Sequence, residues 1–137
     1  MNQSLLISWT PSNELGIPVL DEQHRGIVSI INSFGFVIQR DQKAEFYVNT
    51  IFTMMDCYTK LHFATEEELL SAAGYPDIED HKKLHITLIK KSFSVAAKSI
   101  RLRDPNMYLQ FLQEWWLTHI NDCDRAYAPF MRKYFGI

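Results

Sequence analysis

Apolar residues recur along most of the chain at the three- and four-residue spacing of an α-helix. The first such stretch runs from about Asp21 to Arg40, and its spaced positions are His24, Ile27, Val28, Ile31, Phe34 and Ile38. This periodicity predicts an amphipathic helix with His24 on its buried face. Asp21 is predicted to cap the helix, and Glu22 in the first turn favours the helix dipole.

A second helix is predicted from Ala44 to Ala73, after a short polar connection at residues 40–42. Its inward positions are Tyr47, Ile51, Met54, Tyr58, His62, Glu66 and Leu69. Gly74 suits the position after the last helical residue, and Pro76 cannot continue the helix.

Two further helices complete the pattern. The third, capped by Asp77 or Asp80, is predicted to reach about Arg103, and its inward positions are His81, His85, Leu88, Ser92 or Phe93, and Val95 or Ala96. Asp104-Pro105 opens the fourth, whose inward positions are Leu109, Leu112, Trp115, Trp116, His119 and Ile120. Pro129 is predicted to break this helix, which leaves residues 130–135 as a short terminal element.

Four helices with short connections predict an all-α fold, an antiparallel up-down-up-down four-helix bundle. Residues 1–20 show no sustained period and are predicted to form an extended N-terminal arm, with Trp9 covering one end of the bundle. The length of 137 residues predicts a single domain over residues 1–137.

Composition and charge indicate which partners the protein could bind and where in the cell it is found. A net charge of −2 favours neither nucleic acid nor an anionic membrane as a partner. The basic run Lys82, Lys83, Lys90, Lys91 and Lys98 is predicted to be a solvated helix face rather than a binding patch. Cys57 and Cys123 are predicted to be free thiols in the cytoplasm, because no signal peptide and no membrane-length apolar segment is present. The sequence identifies no protein partner.

All five histidines fall on predicted core faces. His62-x-x-x-Glu66 and His81-x-x-x-His85 each place two donor groups on one side of a helix, and the turn Gly74-Tyr75-Pro76 separates the two pairs. Burying so many polar side chains without a shared partner would cost about 1–3 kcal/mol for each. A bound metal is that partner, and imidazole with carboxylate suits iron, with zinc as an alternative.

Asp124 departs from helical spacing. It lies five residues after His119, which is about 140° away on an ideal helix. Asp124 therefore joins the site only if the helix has a bulge or ends there. Asp122 is the competing carboxylate and is predicted to lie on the surface.

The number of donors distinguishes one metal from two. Five imidazoles and two carboxylates exceed the four ligands of zinc and suit two irons bridged by both carboxylates and an oxo or hydroxo group. If three histidines bind one iron, that iron is full and the other keeps an open position for a small diatomic ligand.

The chain resembles the hemerythrins, and in particular the single-domain bacterial members, from about Trp9 to Phe130. The matching segments are Asp21-Glu22-Gln23-His24, His62-Phe63-x-x-Glu66-Glu67, Gly74-Tyr75-Pro76, His81-x-x-x-His85, Trp115-x-x-x-His119-Ile120 and Asp124-x-x-Tyr127. The resemblance implies reversible O₂ binding, with small anions such as azide also reaching the open iron. It implies that His81, His85 and His119 hold the filled iron, that His24 and His62 hold the open iron, and that Glu66 and Asp124 bridge.

The residue types favour O₂ carriage over oxidation. Ferritin-like di-iron oxidases use Glu-x-x-His motifs, and this sequence contains none. The pocket is predicted to be dry and walled by Ile27, Leu88, Trp115, Trp116 and Ile120. Trp116 stands where members of the family usually have leucine, which bears on the size of the pocket. The alternative function is an enzyme that reduces peroxide, nitric oxide or O₂ at the same site.

Overall fold

The helices of the protein follow one another with short connections. A computed structural model of the chain describes residues 6–40 and 43–137, and for Asn121 and Asp122 the backbone alone; the predicted connection at residues 41–42 and the first five residues lie outside this range. The α-helices are α1 Pro18–Arg40, α2 Val48–Ala73, α3 Ile78–Arg101, α4 Pro105–Trp115 and α5 Asp124–Phe135. Turns of 3₁₀-helix occupy Pro11–Asn13 and Ala44–Tyr47, and a π-helical segment, Trp116–Cys123, joins α4 to α5.

The predicted four-helix bundle is confirmed. α1 packs on α2, α2 on α3 and α3 on α4, while contacts between α1 and α4 close the bundle. The π-helical segment and α5 continue the direction of α4, so the three segments together form the fourth long element of the bundle. No helix within the described residues is long and apolar enough to cross a membrane.

The core of the bundle follows the predicted faces except on α2. Val48, Met55 and His62, seven residues apart, are buried on α2, whereas Met54 is 50% exposed and Tyr47 is also exposed. On α3, where Ser92 or Phe93 was predicted to face inward, Ser92 is partly buried and Phe93 is exposed. The prediction for Met54 was wrong because it counted back from His62 to Tyr58 and Met54 in steps of four residues. Each four-residue step turns about 40° further around the helix than a full turn, so the two steps move Met54 off the buried face.

Asp21 has a different role from the predicted cap. α1 begins at Pro18, so Asp21 lies inside the first turn, where it is buried. Its carboxylate accepts hydrogen bonds from the backbone N–H groups of Leu15, at 2.7 Å, and Gly16, at 3.1 Å. Asp21 thus holds the end of the N-terminal arm against α1. Earlier in the arm, the backbone of Ile7 exchanges two hydrogen bonds of 2.8 Å with the side chain of Asn32 in α1.

Pro129 does not end the last helix, contrary to the prediction. It lies within α5, which continues to Phe135. A proline in a helix interior costs roughly 3 kcal/mol, but Tyr127, Ala128 and Met131 around it are buried in a second apolar cluster with Leu20 and Leu70. Their burial offsets the local cost.

The third helix ends slightly earlier than predicted. α3 ends at Arg101, and Arg103 follows with a φ of 53°.

Candidate metal centre

The middle of the bundle holds a first group of four donor side chains. α1 contributes His24, α2 contributes His62 and Glu66, and α5 contributes Asp124 at its first residue. The two imidazoles approach closely, with Nε2 of His24 3.1 Å from Nε2 of His62. The carboxylates complete the group, Glu66 Oε2 lying 3.3 Å from His62 Nε2 and Asp124 Oδ2 3.3 Å from His24 Nε2. All four ligand atoms lie within 4.8 Å of one another.

A second group of donors lies beside the first and shares Glu66 with it. Its imidazoles are His81 and His85 from α3 and His119 from the π-helical segment, and these ligand atoms also lie within 4.8 Å of one another. Glu66 Oε1 accepts a hydrogen bond from His81 Nε2 and lies 3.1 Å from His85 Nε2.

The two carboxylates lie between the two groups. Glu66 turns Oε2 to His62 in one group and Oε1 to His85 in the other. Asp124 does the same, with Oδ2 near His24 and Oδ1 3.4 Å from His119 Nε2. The structure therefore brings together all seven residues that the sequence predicted as metal ligands.

The π-helical segment is what brings Asp124 into the site. In a π-helix, residues i and i+5 lie on nearly the same side of the helix, whereas in an α-helix they lie about 140° apart. The segment Trp116–Cys123 carries His119 and ends immediately before Asp124, so both side chains point inward and both are buried. The predicted interruption of the regular helix is confirmed. Whether Asp122 lies on the surface, as predicted, concerns a side chain outside the described part of the chain.

A further layer of side chains orients the donors. Nδ1 of His62 lies 2.8 Å from the amide oxygen of Gln23, and Nδ1 of His85 lies 3.0 Å from a carboxylate oxygen of Glu67. With Nδ1 donating outward, each Nε2 is left free to face the centre. The hydroxyl of Tyr127 donates to Glu66 Oε2 at 2.8 Å.

These three supporting residues had no predicted role, although they stand in the motifs that carry the resemblance. Gln23 precedes His24, Glu67 follows Glu66, and Tyr127 lies three residues after Asp124. Their adjacency to predicted ligands was the available signal. Which donor each one meets depends on the packing of different helices, and spacing alone does not reveal it.

Burial shapes the protonation of the site. It lowers the pKa of His24 to about 4 and that of His119 to about 3, which keeps both rings neutral and able to coordinate a cation. Burial alone would raise the pKa of Glu66, but hydrogen bonds from the surrounding imidazoles outweigh it and hold that pKa well below its usual range. Burial, and then repulsion by Glu66, raises the pKa of Asp124.

The buried donors fit a bound cation. Six of their atoms have no hydrogen-bond partner, namely His24 Nδ1, His85 Nε2, both ring nitrogens of His119 and both carboxylate oxygens of Asp124. The 3.1 Å approach of His85 Nε2 to Glu66 is thus a close distance without the alignment of a hydrogen bond. Unpaired buried polar atoms cost about 1–3 kcal/mol each. Coordination removes that cost for the four atoms that face the centre, namely Nε2 of His85, Nε2 of His119 and both oxygens of Asp124. Imidazole nitrogen with carboxylate oxygen suits iron or zinc.

Aromatic rings close the site on two sides. The ring of Phe63 stacks on His85 with centroids 3.6 Å apart and planes 2° from parallel. Trp116 lies edge-on to His24 at 6.0 Å, and Trp9 packs outside Trp116 at 5.8 Å. Trp9, placed in the sequence prediction at one end of the bundle, therefore forms an outer layer over the His24 side of the site.

The five predicted wall residues all belong to the main apolar core of the bundle. Ile27, Trp115, Trp116 and Ile120 are buried, and Leu88 packs partly buried against their cluster. A cavity of about 20 Å³ lies next to Leu88 and Trp115, which is enough for one water-sized molecule.

Fold and site together define a helical-bundle protein with a buried histidine–carboxylate metal centre. The sequence matches the family model of the hemerythrin HHE cation binding domain over residues 15–131. The chain belongs to the hemerythrin family.

Three curated relatives are similar in sequence to this chain over most of their own length. Bacteriohemerythrin of Stenotrophomonas maltophilia is 34% identical over 90% of this chain and 80% of its own, and bacteriohemerythrin of Clostridium acetobutylicum is 34% identical over 87% and 96%. Myohemerythrin of Theromyzon tessulatum is 25% identical over 87% and 88%.

Solved structures show the same fold. The crystal structure of a leucine-to-alanine mutant of hemerythrin superposes with a TM-score of 0.72 at 23% identity, over 92% of this chain and 97% of the mutant. A leucine-to-tyrosine mutant superposes with a TM-score of 0.73 at 22% identity, over 93% and 98%. The all-α bundle predicted from periodicity is therefore the hemerythrin fold.

Proposed function

We propose that this protein binds O₂ reversibly at a di-iron centre, for the storage, delivery or sensing of oxygen. The observation that carries the proposal is the sharing of Glu66 and Asp124 between two buried groups of imidazoles. The chain belongs to a family of O₂-binding di-iron proteins, and its donor set suits iron.

The two groups differ in the number of histidines that they offer. His81, His85 and His119 would hold one iron, and His24 and His62 the other, with both carboxylates bridging. The iron with two imidazoles would keep an open position, which is where O₂, or a small anion such as azide, would bind. When bound, the irons supply the electrons that O₂ takes up reversibly.

The surrounding residues keep the centre dry and its donors fixed. Gln23 and Glu67 hold the rings of His62 and His85, so that Nε2 of each faces the centre. Trp116 excludes water from the His24 side, since its ring lies beside that of His24 and is almost fully buried. Exclusion of water opposes the loss of reduced oxygen species into solvent, which a reversible carrier requires.

The same site would also support an enzyme that reduces peroxide, nitric oxide or O₂. The donor set argues for binding, because carboxylate-rich di-iron sites favour high-valent iron while five imidazoles favour a milder reduction potential. We place the protein in the cytoplasm. This location is supported by the exposed side chains of Cys57 and Cys123, which are not joined in a disulfide.

The proposal is tested by following dissolved gas with an oxygen electrode. Iron-loaded, reduced protein should take up about one O₂ for each pair of irons and return it under vacuum, and His62→Ala should lose this uptake. Sustained consumption of O₂, peroxide or nitric oxide in the presence of a reductant, without return under vacuum, would make the protein an enzyme and contradict the proposal.

A further inference from the structure

The basic residues of the chain are concentrated on α3 and the turn that follows it. Of the 14 lysines and arginines, seven lie within residues 82–103, where no aspartate or glutamate occurs. The chain as a whole carries a net charge of −2, so the remainder has a net charge of −9 (−2 minus +7). The positive charge of this segment is therefore a local property and not a general one.

Most of these cations point to solvent without an ionic partner. Within residues 6–40 and 43–137 and their described side chains, no carboxylate lies within 4.0 Å of five of them, namely Lys83, Lys90, Lys98, Arg101 and Arg103. Lys82 approaches Glu79 at 3.8 Å, and Lys91 lies over the ring of Phe111 at 5.9 Å. A helix face that was only solvated would gain by pairing some of these charges with acidic residues.

Exposed apolar side chains lie among these cations on α3, spaced seven residues apart. Ile86, Phe93 and Ile100 are seven residues apart and are 54%, 64% and 44% exposed. Seven residues return to nearly the same side of a helix, with a drift of about 20°. The three side chains therefore form one narrow ridge about 21 Å long. We call this ridge, with the cations beside it, the α3 face.

A shallow groove runs beside the α3 face and gives it a shape that fits a helix. Phe93 meets Phe52 of α2 edge-on at 5.8 Å, and the recess between α2 and α3 is lined by Phe52, Asp56, Lys60, Ile89, Lys90, Phe93 and Ser94. A ridge beside a groove is the surface that a second helix packs against.

We infer that the α3 face is a docking surface for an acidic amphipathic helix of a partner protein. Such a helix would place apolar residues at heptad spacing against Ile86, Phe93 and Ile100, with aspartate or glutamate on both sides of that seam. Charge complementarity identifies the partner as acidic, since five cations here lack a carboxylate of their own. This inference stands on the surface alone and does not depend on the proposed function.

Other occupants fit the α3 face less well. A helix bound to a membrane presents a broad apolar face of about 100° or more, whereas Ile86 to Ile100 spans about 40°. A second copy of the chain, packed face to face, would bring seven cations against seven. Nucleic acid would be attracted to the lysines but would gain nothing from the exposed apolar ridge.

The test uses a synthetic helical peptide with leucine at heptad spacing and glutamate on both sides of the leucine seam. Its binding to the iron-loaded protein is measured by fluorescence anisotropy, with a second peptide that carries lysine in place of glutamate as the control ligand. The protein variants Phe93→Ala and Lys90→Glu alter the α3 face. Tyr134→Ala, at a side chain 55% exposed on α5, and Lys133→Glu are the matched controls.

The glutamate peptide should bind, and the Kd should rise at least tenfold in Phe93→Ala and in Lys90→Glu and less than twofold in the two controls. Binding should weaken in 0.5 M salt, which screens exposed charges. All four positions are exposed, so circular dichroism should show an unchanged fold. Absence of binding, equal binding of the lysine peptide, or equal losses in the control variants would overturn the inference.

Two further measurements separate this partner from the other occupants. Sedimentation reports whether the protein associates with itself, and vesicles of phosphatidylglycerol report binding to an anionic membrane. If either association is present and is lost in Phe93→Ala, while the glutamate peptide does not bind, the α3 face serves a second copy or a membrane and the inference is wrong.

Discussion

The ring of Trp116 stands almost perpendicular to the ring of His24, with planes at 86° and centroids 6.0 Å apart. Trp9 covers Trp116 from outside, and the guanidinium of Arg25 lies 5.1 Å above the Trp9 ring. Two indoles therefore separate His24 from solvent on this side. His24 is one of the two imidazoles that would hold the iron with an open position.

Replacing Trp116 with leucine should speed the entry of small ligands. An indole fills considerably more space than an isobutyl group, and a core relaxes only partly around the cavity left by a smaller side chain. In Trp116→Leu, azide should bind the diferric form several times faster, and the oxygenated form should autoxidise faster. Both rates are measured by stopped-flow or steady absorbance at one pH and temperature.

Phe34→Leu is the control for a general loosening of the core. Phe34 is fully buried and packs on Tyr108, away from the donor side chains. It should lower stability without changing either rate. If a Trp116→Leu protein that retains its iron shows neither rate raised, Trp116 is packing and not a barrier.

The residues behind the imidazoles should control iron affinity. Removing such a partner typically weakens metal binding by about 10–100-fold. Glu67→Ala should therefore lose iron to a chelator at least tenfold more readily, because His85 Nδ1 loses its acceptor. Glu68→Ala changes the neighbouring exposed carboxylate and should behave as the unmodified protein. Equal iron retention in both variants would show that Glu67 contributes surface charge only.

Removing iron should destabilise the fold. Without a cation, Glu66 and Asp124 remain buried among the rings, and the Asp124 oxygens with Nε2 of His85 and His119 stay unpaired, which is unfavourable. We expect the metal-free protein to melt lower than the iron-loaded form, with each kcal/mol lost lowering Tm by ~2–8 °C for a domain of this size. His119→Ala should lose iron and also melt below the iron-loaded parent. Identical calorimetric melting of metal-free and loaded protein would contradict this expectation.

Tyr108 should make stability fall at alkaline pH. Burial raises the pKa of Tyr108 to about 12, whereas an unfolded chain ionises near pH 10, so the folded state keeps a proton that the unfolded state loses. The stabilisation is complete below pH 10 and disappears as the pH rises towards 12. By pH 11 it has fallen by about 1.4 kcal/mol.

Tyr108→Phe isolates this effect, because the other titrating groups cancel in the comparison. Urea unfolding at pH 9 and pH 11 should show the unmodified protein losing about 1 kcal/mol more than the variant. The hydrogen bond of 3.0 Å between Tyr108 and Ser92 is lost at both pH values and so does not affect the difference. Equal losses in the two proteins would show that the Tyr108 hydroxyl ionises normally.

The bundle and all seven donors were predictable from sequence because each depends on local spacing. His62 with Glu66, and His81 with His85, are single-turn pairs, and the helix that carries each pair fixes their common direction. Even Asp124 could be placed, since its spacing from His119 required an interruption of the helix, and the π-helical segment supplies one.

What sequence did not reveal depends on contacts between distant elements. Burial of Met55 in place of Met54 follows from the phase of α2 against its neighbours, and Asp21 meets the arm only because the arm folds back on α1. Pro129 remains helical because Tyr127 and Met131 are held in the core. The pairing of Glu67 with His85 joins residues on α2 and α3, and no local pattern indicates it.

Reversible O₂ binding can be followed in the visible spectrum of pure, iron-loaded protein cycled between vacuum and air. We expect a colourless reduced form, an absorption band that appears in air, and complete loss of that band under vacuum over several cycles. The same cycle with His62→Ala should give no band. A band that forms once and does not reverse, or no band in protein that metal analysis shows to hold two irons per chain, would contradict reversible O₂ binding.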